Sequence, residues 1–396
     1  MLKILFVTGA SHQPWMKNMN HFQRVYFLSR QARLTVFGRK GADFSCSADT
    51  AAEIVRASFH GKLGVILSCF WWMITNGRSR RFDIILTEPS ILCVCGFIGK
   101  KFLGAKWVMD VWDIPFRRAS RDKRPWWICL SRVDRVIGRF LFRFADLFIL
   151  SILPHLEFAE FAVPREKMLL LKNAIWMSNQ TRDSSMHRQI LWPKRPFTIL
   201  CMRTQFTQEM GLDVLSRAFD ILNRTNSNIE LLVVGKITDK IGQQTVLLKG
   251  RTNVRFREFV DHEELMSLIA SSSVCVIPFR NTADLAQTHP IKLLEYLSYG
   301  AIVVAPDLPG IASIIRHGDN GLLFRPGDSP DLAEKLRLLY SHPELASKIS
   351  QRAVALGEEF ASDKKAIVIL EAFKKLVKDE EHQASISRKG NSSQGD

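Results

Sequence analysis

The sequence predicts an α/β chain of two Rossmann-like domains in tandem, and three observations predict it. Short runs that are apolar on both faces recur along the chain, each followed by a helical pattern, as in a parallel sheet covered on both sides. The alternation stops once, at the polar stretch SNQTRDSSMHRQ (178–189), and then restarts. At 396 residues the chain exceeds what a single hydrophobic core usually holds.

The first alternation opens with the strand KILFVT, closed by Gly9. NMNHFQRVYFLSR follows, with Met19, Phe22, Val25 and Tyr26 at helical spacing. Next come the strands RLTVF and FDIILT, the helix LCVCGFIGKKFLG ending at Gly104, and the strand KWVMDVWD. A long helix leads into ADLFILS, and MLLLKNA ends this half. The second alternation reads FTILCM, the helix GLDVLSRAFDILNR, IELLVVG, NVRFREFV, the helix DHEELMSLIASS, VCVIPF, the helix in HPIKLLEYLSYG, and AIVVAP. This places one domain at 1–176, a linker at 177–190, a second domain at 191–357 and terminal helices at 358–378. The tail from 379 to 396 is polar and poor in apolar residues, so disorder is expected there.

Several function classes are excluded early. The seven cysteines are scattered, with no CxxC pair and no His/Cys cluster at ligand spacing. That pattern fits reduced, buried thiols, not a disulfide framework or a zinc site. No GxxxxGK[ST] loop, GxSxG elbow, HExxH helix or GxGxxG turn occurs. No Asp-x-Asp pair offers a metal clamp for a diphosphate, so neither a metal nor a cofactor is expected. The first strand is too short for a signal-peptide core, and the apolar run from Leu63 to Ile74 is too short to span a bilayer.

Charge separates the two halves. Residues 1–190 carry 29 Lys/Arg against 14 Asp/Glu, an excess of 15, whereas the remainder carries 26 against 25. One domain is therefore expected to face a polyanion: a membrane, a nucleic acid or an acidic glycolipid. Between Arg117 and Arg143 nine Lys/Arg alternate with aromatic and aliphatic residues. Its later part reads as a helix with a solvated basic face. Its earlier part, with Arg117, Arg118, Arg121, Lys123, Arg124, Trp126 and Trp127, suits an anionic headgroup layer. The stretch HGKLGVILSCFWWMITNGRSRR (60–81) pairs tryptophan and basic flank in the same way.

The stretch HPIKLLEYLSYGAIVVAPDLPGIASIIRHGDNGLLFRPGD closely resembles the signature of the family 4 retaining glycosyltransferases of the GT-B fold, the group 1 type found in lipopolysaccharide and exopolysaccharide synthesis. The matching pieces are Pro290, Lys292, Glu295, Gly300, the VVAPDLPG strand and turn, and the NGLLFRPGD hairpin from Asn320 to Asp328. KNA at 172–174, MRTQFTQEMGLDVL and EEFASDKKAIVILEAFKKL extend the likeness over most of the chain.

The resemblance implies two domains facing across a cleft, with the last helix crossing back to the first domain. It implies a nucleotide-diphosphate sugar on the second domain. Glu295 would accept hydrogen bonds from the ribose hydroxyls, a task that suits the two oxygens of a carboxylate. Arg203 would hold the diphosphate, with Lys292, Lys236 and Arg257 supplying further positive charge. His289, Pro290, Ile291 and Gly9 complete the expected donor contacts. Gln287 stands where the family commonly has an acid contacting the donor sugar. Asp113, in DVWD, occupies the first-domain acid motif, with Trp112 in place of its usual His or Arg, and Met210 replaces the lysine that usually accompanies Arg203. The expected protein is a retaining, metal-independent sugar transferase at the inner face of the cell membrane. Its expected partners are a nucleotide sugar, a lipid-linked or glycan acceptor and an anionic membrane surface, with no nucleic acid. The departures at Met210, Gln287 and Trp112 keep a non-catalytic homologue as an alternative. A sugar-nucleotide epimerase of the same fold is the other.

Overall fold

The computed structural model describes residues 1–9, 20–41, 51–111, 136–151, 163–175, 196–225, 228–237, 243–258, 260 and 262–392. The chain divides into two compact units, Met1–Lys172 together with Ser362–Asp396, and Asn173–Ala361.

The first unit is built on seven parallel strands: β1 (Lys3–Thr8), β2 (Arg33–Gly38), β3 (Glu53–Arg56), β4 (Ile84–Thr87), β5 (Lys106–Val111), β6 (Leu147–Leu150) and β7 (Met168–Leu170). Their order is β3-β2-β1-β4-β5-β6-β7. Side chains alternate across the sheet as strand geometry requires. Ile4, Phe6, Ile84 and Leu86 face one apolar layer, and Leu5, Val7 and Ile85 the other. The Ser362–Ser392 helix returns to this unit and adds Ile369, Leu370 and Phe373 to the first layer. Burying each such side chain contributes about 1.5–3 kcal/mol. Ser362 Oγ donates to Gln23 Oε1 at 2.7 Å and fixes the start of the helix.

The second unit has six parallel strands: β8 (Phe197–Gln205), β9 (Ile229–Lys236), β10 (Val254–Arg257), β11 (Val274–Val276), β12 (Ile302–Pro306) and β13 (Leu322–Phe324). The order is β10-β9-β8-β11-β12-β13. In both sheets the strand order reverses beside the first strand of the unit, at β1/β4 and at β8/β11. Open sheets of this kind bind ligands at that point, beyond the carboxyl ends of the strands.

Four expectations are corrected. The unit boundary falls at 172/173, because Asn173 Nδ2 donates to the His289 carbonyl at 2.7 Å and Ile175 N to the Phe360 carbonyl at 3.0 Å. The expected hairpin at Asn320–Asp328 is instead a parallel edge strand, Leu322–Phe324 beside β12. Strand β3, EIVR, pairs with β2 where no strand was expected, since four residues are too few for a periodic signal. The tail is helical through Ser392. Its Glu, Gln, Ala, Lys and Arg residues are good helix formers, and extending a helix that packing has already nucleated adds hydrogen bonds without a new nucleus. The expected linker at 177–190 lies outside the described residues.

Candidate functional site

At the carboxyl edge of the second sheet, Arg203 leaves β8 near the switch point. Its guanidinium carbon lies 4.1 Å from the centre of the Phe279 ring, which belongs to the loop after β11. One terminal nitrogen of Arg203 is buried and has no hydrogen-bond partner. Burial pushes the guanidinium below the ordinary arginine value, opposed by Tyr296, Cys201 and Glu295, and it remains cationic at neutral pH. A buried cation with an open donor position is costly unless a ligand completes it.

Glu295 belongs to the Ile291–Ser298 helix between β11 and β12, whose N-terminus lies at the same sheet edge. Only 4% of it is exposed, and its carboxylate forms a 2.8 Å ion pair with Lys292 one turn earlier. Leu293, Leu294, Tyr296 and Leu297 bury the helix against the sheet. The Met202 N–H donates to the Tyr296 hydroxyl at 3.3 Å, which ties this helix to the strand that carries Arg203. The structure thus brings Arg203, Glu295 and Lys292 into one charged group, although 92 residues separate the first two. Burial pushes the neighbouring Cys201 thiol up to about 12, so it acts as uncharged filler below the site.

Two glycines shape the surrounding loops. Gly211 has φ 68°, and a Cβ there would collide with the Pro278 carbonyl. It lets the Gln208–Met210 turn lie against the loop after β11, where Arg280 N donates to the Glu209 carbonyl at 3.0 Å. A Cβ on Gly310 would meet the Thr288 carbonyl, so the Pro309–Ala312 turn abuts the Gln287–Thr288 backbone. Met210 packs against both apolar layers of this unit, which explains an uncharged residue at that position.

The remaining expected residues divide. Pro290 caps the Glu295 helix as its last extended residue, Ile291 begins it, and Gln287 is half-buried just before. Lys236 ends β9 beside Gln205 of β8 and is exposed. His289 is buried, its Nε2 3.1 Å from Ser313 Oγ, and braces the loop ahead of the helix. Arg257 departs from expectation. It sits on the outermost strand, two strands from β8, and pairs with Glu264. The sheet order that puts it there is invisible in a linear sequence. Asp113, Arg117, Arg118, Arg121, Lys123, Arg124, Trp126 and Trp127 lie outside the described residues.

In the first unit, Gly9 belongs to a group that sequence reasoning missed. The Thr8 hydroxyl and the Gly9 N–H both donate to the carboxyl of Glu88, the first residue beyond β4. Asp110 on β5 is fully buried against Arg24, with Nε to Oδ2 at 2.9 Å, and its other oxygen has no partner. Burial raises both carboxyls, and the Asp110 charge adds to the effect at Glu88. The available signal was an acid directly after a buried strand, TEPS, at the ligand-binding edge.

The raised Glu88 value has a pH consequence. Glu88 holds its proton more tightly folded than unfolded, so its contribution to stability is full below the ordinary carboxylate pKa of about 4.3. That contribution is lost as pH rises through the raised folded value. Glu88→Gln, which cannot ionise, is expected to gain melting temperature relative to wild type as pH increases. Paired melting curves between about pH 4 and pH 7.5 check this. A difference that stays flat across the range would contradict it.

Among the described residues, no group of His, Cys, Asp and Glu could hold a metal ion. Residues 183–355 match the family model described as glycosyl transferases group 1. D-rhamnosyltransferase WbpZ of Pseudomonas aeruginosa is 27% identical over 146 residues, covering 37% of this chain and 36% of that protein. Alpha-D-kanosaminyltransferase of Streptomyces kanamyceticus is also 27% identical, over 150 residues, covering 37% and 38%. The chain thus spans little more than a third of the length of either relative. The crystal structure of Anabaena Alr3699/HepE in complex with UDP and glucose superposes with a TM-score of 0.69 at 18% identity, covering 95% of this chain and all of that one. The stretch that matches this model includes strand β8, which carries Arg203, and the helix that carries Glu295, in a chain with the GT-B fold.

Proposed function

We propose that the protein is a retaining, metal-independent glycosyltransferase that uses a nucleotide-diphosphate sugar and works on a lipid-linked or polysaccharide acceptor at a membrane surface. The observation that carries the donor reading is the buried, partnerless nitrogen of Arg203 beside the Lys292–Glu295 pair. A diphosphate oxygen completes Arg203, and two adjacent ribose hydroxyls donate to Glu295. The positive end of the Ile291–Ser298 helix faces the same anion. The matched group 1 domain and the UDP held by a protein of the same fold support this reading.

In the reaction, the bond between the sugar's anomeric carbon and the diphosphate oxygen breaks as the acceptor oxygen bonds to that carbon on the same face. The acceptor proton passes to a phosphate oxygen, so the charge that must be stabilised lies on the leaving group. Arg203, Lys292 and Lys236 supply that stabilisation, the largest contribution in chemistry of this kind. Gln287 positions the sugar through hydrogen bonds without adding negative charge. Asp113 takes its catalytic role from the first-domain acid motif, and Gly9 adds a donor contact.

A panel of nucleoside-diphosphate sugars tested for thermal stabilisation identifies the donor. Turnover with membrane-extracted acceptors then tests transfer. The reading predicts stabilisation by one donor class and sugar incorporation from it. A folded protein that no nucleotide sugar stabilises would refute it.

A further inference from the structure

The Gly61–Trp72 helix of the first unit, continued by Met73–Gly77, is apolar on both faces. Gly64, Val65, Ser68, Cys69, Met73 and Gly77 are buried, and the helix packs on the sheet through Val65, Cys69 and Met73. The opposite face carries Leu63, Leu67, Phe70, Trp71 and Ile74, spaced three and four residues apart, where a solvent-facing helix would be polar. Leu63 and Trp71 are each 68% exposed and Leu67 61%, and Phe59, 60% exposed, extends the strip past the helix start. A continuous exposed strip of large apolar side chains marks a site of contact with a partner.

Charge indicates which partner. From Ile54 to Phe82 the sequence contains no Asp or Glu but has Arg56, Lys62, Arg78, Arg80 and Arg81. Arg80 is engaged with Glu53 and the Trp72 ring, and Arg78 stacks 4.2 Å from the Phe102 ring centre. Lys62, Arg78 and Arg81 stand exposed at the two ends of the apolar strip. An apolar strip with exposed tryptophan and cationic ends has the makeup of an interfacial helix lying in an anionic bilayer surface. No helix among the described residues is long and apolar enough to cross a membrane.

We infer that this helix face is a membrane-docking surface: Leu63, Leu67, Phe70, Trp71 and Ile74 enter the acyl boundary of an anionic leaflet while Lys62, Arg78 and Arg81 meet its headgroups. The inference rests on the membrane part of the proposed function but assigns the contact to a surface other than the basic segment at 117–127.

Co-sedimentation of the full chain with phosphatidylcholine vesicles, with and without phosphatidylglycerol, tests it. Wild type is expected to bind the anionic vesicles, and Leu67→Glu/Trp71→Glu to bind them at least about tenfold less. Both should keep the same melting temperature and donor-induced stabilisation. Bromine-labelled acyl chains should quench tryptophan emission in wild type, and less so in Trp71→Phe, which still binds. Equal partition of wild type and the double glutamate variant overturns the inference. So does a wild-type dimer that the variant converts to monomer without vesicle binding, since the strip would then serve a second copy of the chain. Vesicle binding without stabilisation by any nucleotide sugar leaves the docking surface standing and refutes sugar transfer instead.

Discussion

Replacing Arg203 by alanine is expected to lower sugar-transfer turnover by about two orders of magnitude, a loss of the size seen when one preorganised charge-stabilising donor is removed. The guanidinium already stands in place before the donor arrives, stacked on Phe279 and tied through strand β8 to the Tyr296 hydroxyl. Its free nitrogen has nothing to give up on binding. The interaction therefore strengthens as charge collects on the departing phosphate, and the loss falls on kcat more than on donor affinity. Stability should change little. Lost stacking costs about 0.5–1 kcal/mol, and removing a buried cation offsets part of it. Arg203→Lys should restore little of the rate, because an ammonium has neither the planar fork nor the ring contact. Initial rates at saturating donor, with melting curves as the folding control, provide the check. Unchanged turnover in a folded Arg203→Ala protein would remove the residue from the reaction.

Glu295→Ala is expected to weaken nucleotide binding by about 10- to 150-fold, the equivalent of the 1.5–3 kcal/mol typical of a hydrogen bond to a charged group. Its fold should survive. Lys292, the partner left behind, is part-exposed and can turn to water. Direct titration with the preferred nucleoside diphosphate measures the effect. Equal affinity in the variant would leave the carboxylate as no more than a partner for Lys292.

Much of the fold was legible because its strands are buried on both faces. KILFVT, FDIILT, FTILCM, IELLVVG and AIVVAP each became a strand where an apolar run said so. The helix that carries Glu295 was legible too, as an apolar helical pattern ahead of another buried strand. Lateral order was not. Nothing in the sequence said that β8 would lie beside β11, which brings Phe279 over Arg203, or that β10 would carry Arg257 to the outer edge. Glu88 escaped notice because its environment is assembled from Thr8, Gly9 and Asp110, each on another strand or loop. The run from Leu63 to Ile74 was visible as apolar. Which of its residues would remain exposed depended on the helix phase and on where the sheet lies, and only the fold supplies those. The tail was misjudged because low hydrophobicity argues against a core without arguing against a helix that a core has already started.

The central claim is that Glu295 holds the ribose and Arg203 the diphosphate of one donor nucleotide. A calorimetric cycle tests it most directly: wild type and Glu295→Ala, each titrated with the preferred nucleoside diphosphate and with its 2′,3′-dideoxy analogue. If the carboxylate accepts from those hydroxyls, either change alone should weaken binding by at least about tenfold, and making both should cost little more than one. Losses that simply add, or a wild type that binds the two ligands equally, would place the ribose elsewhere and contradict the assignment.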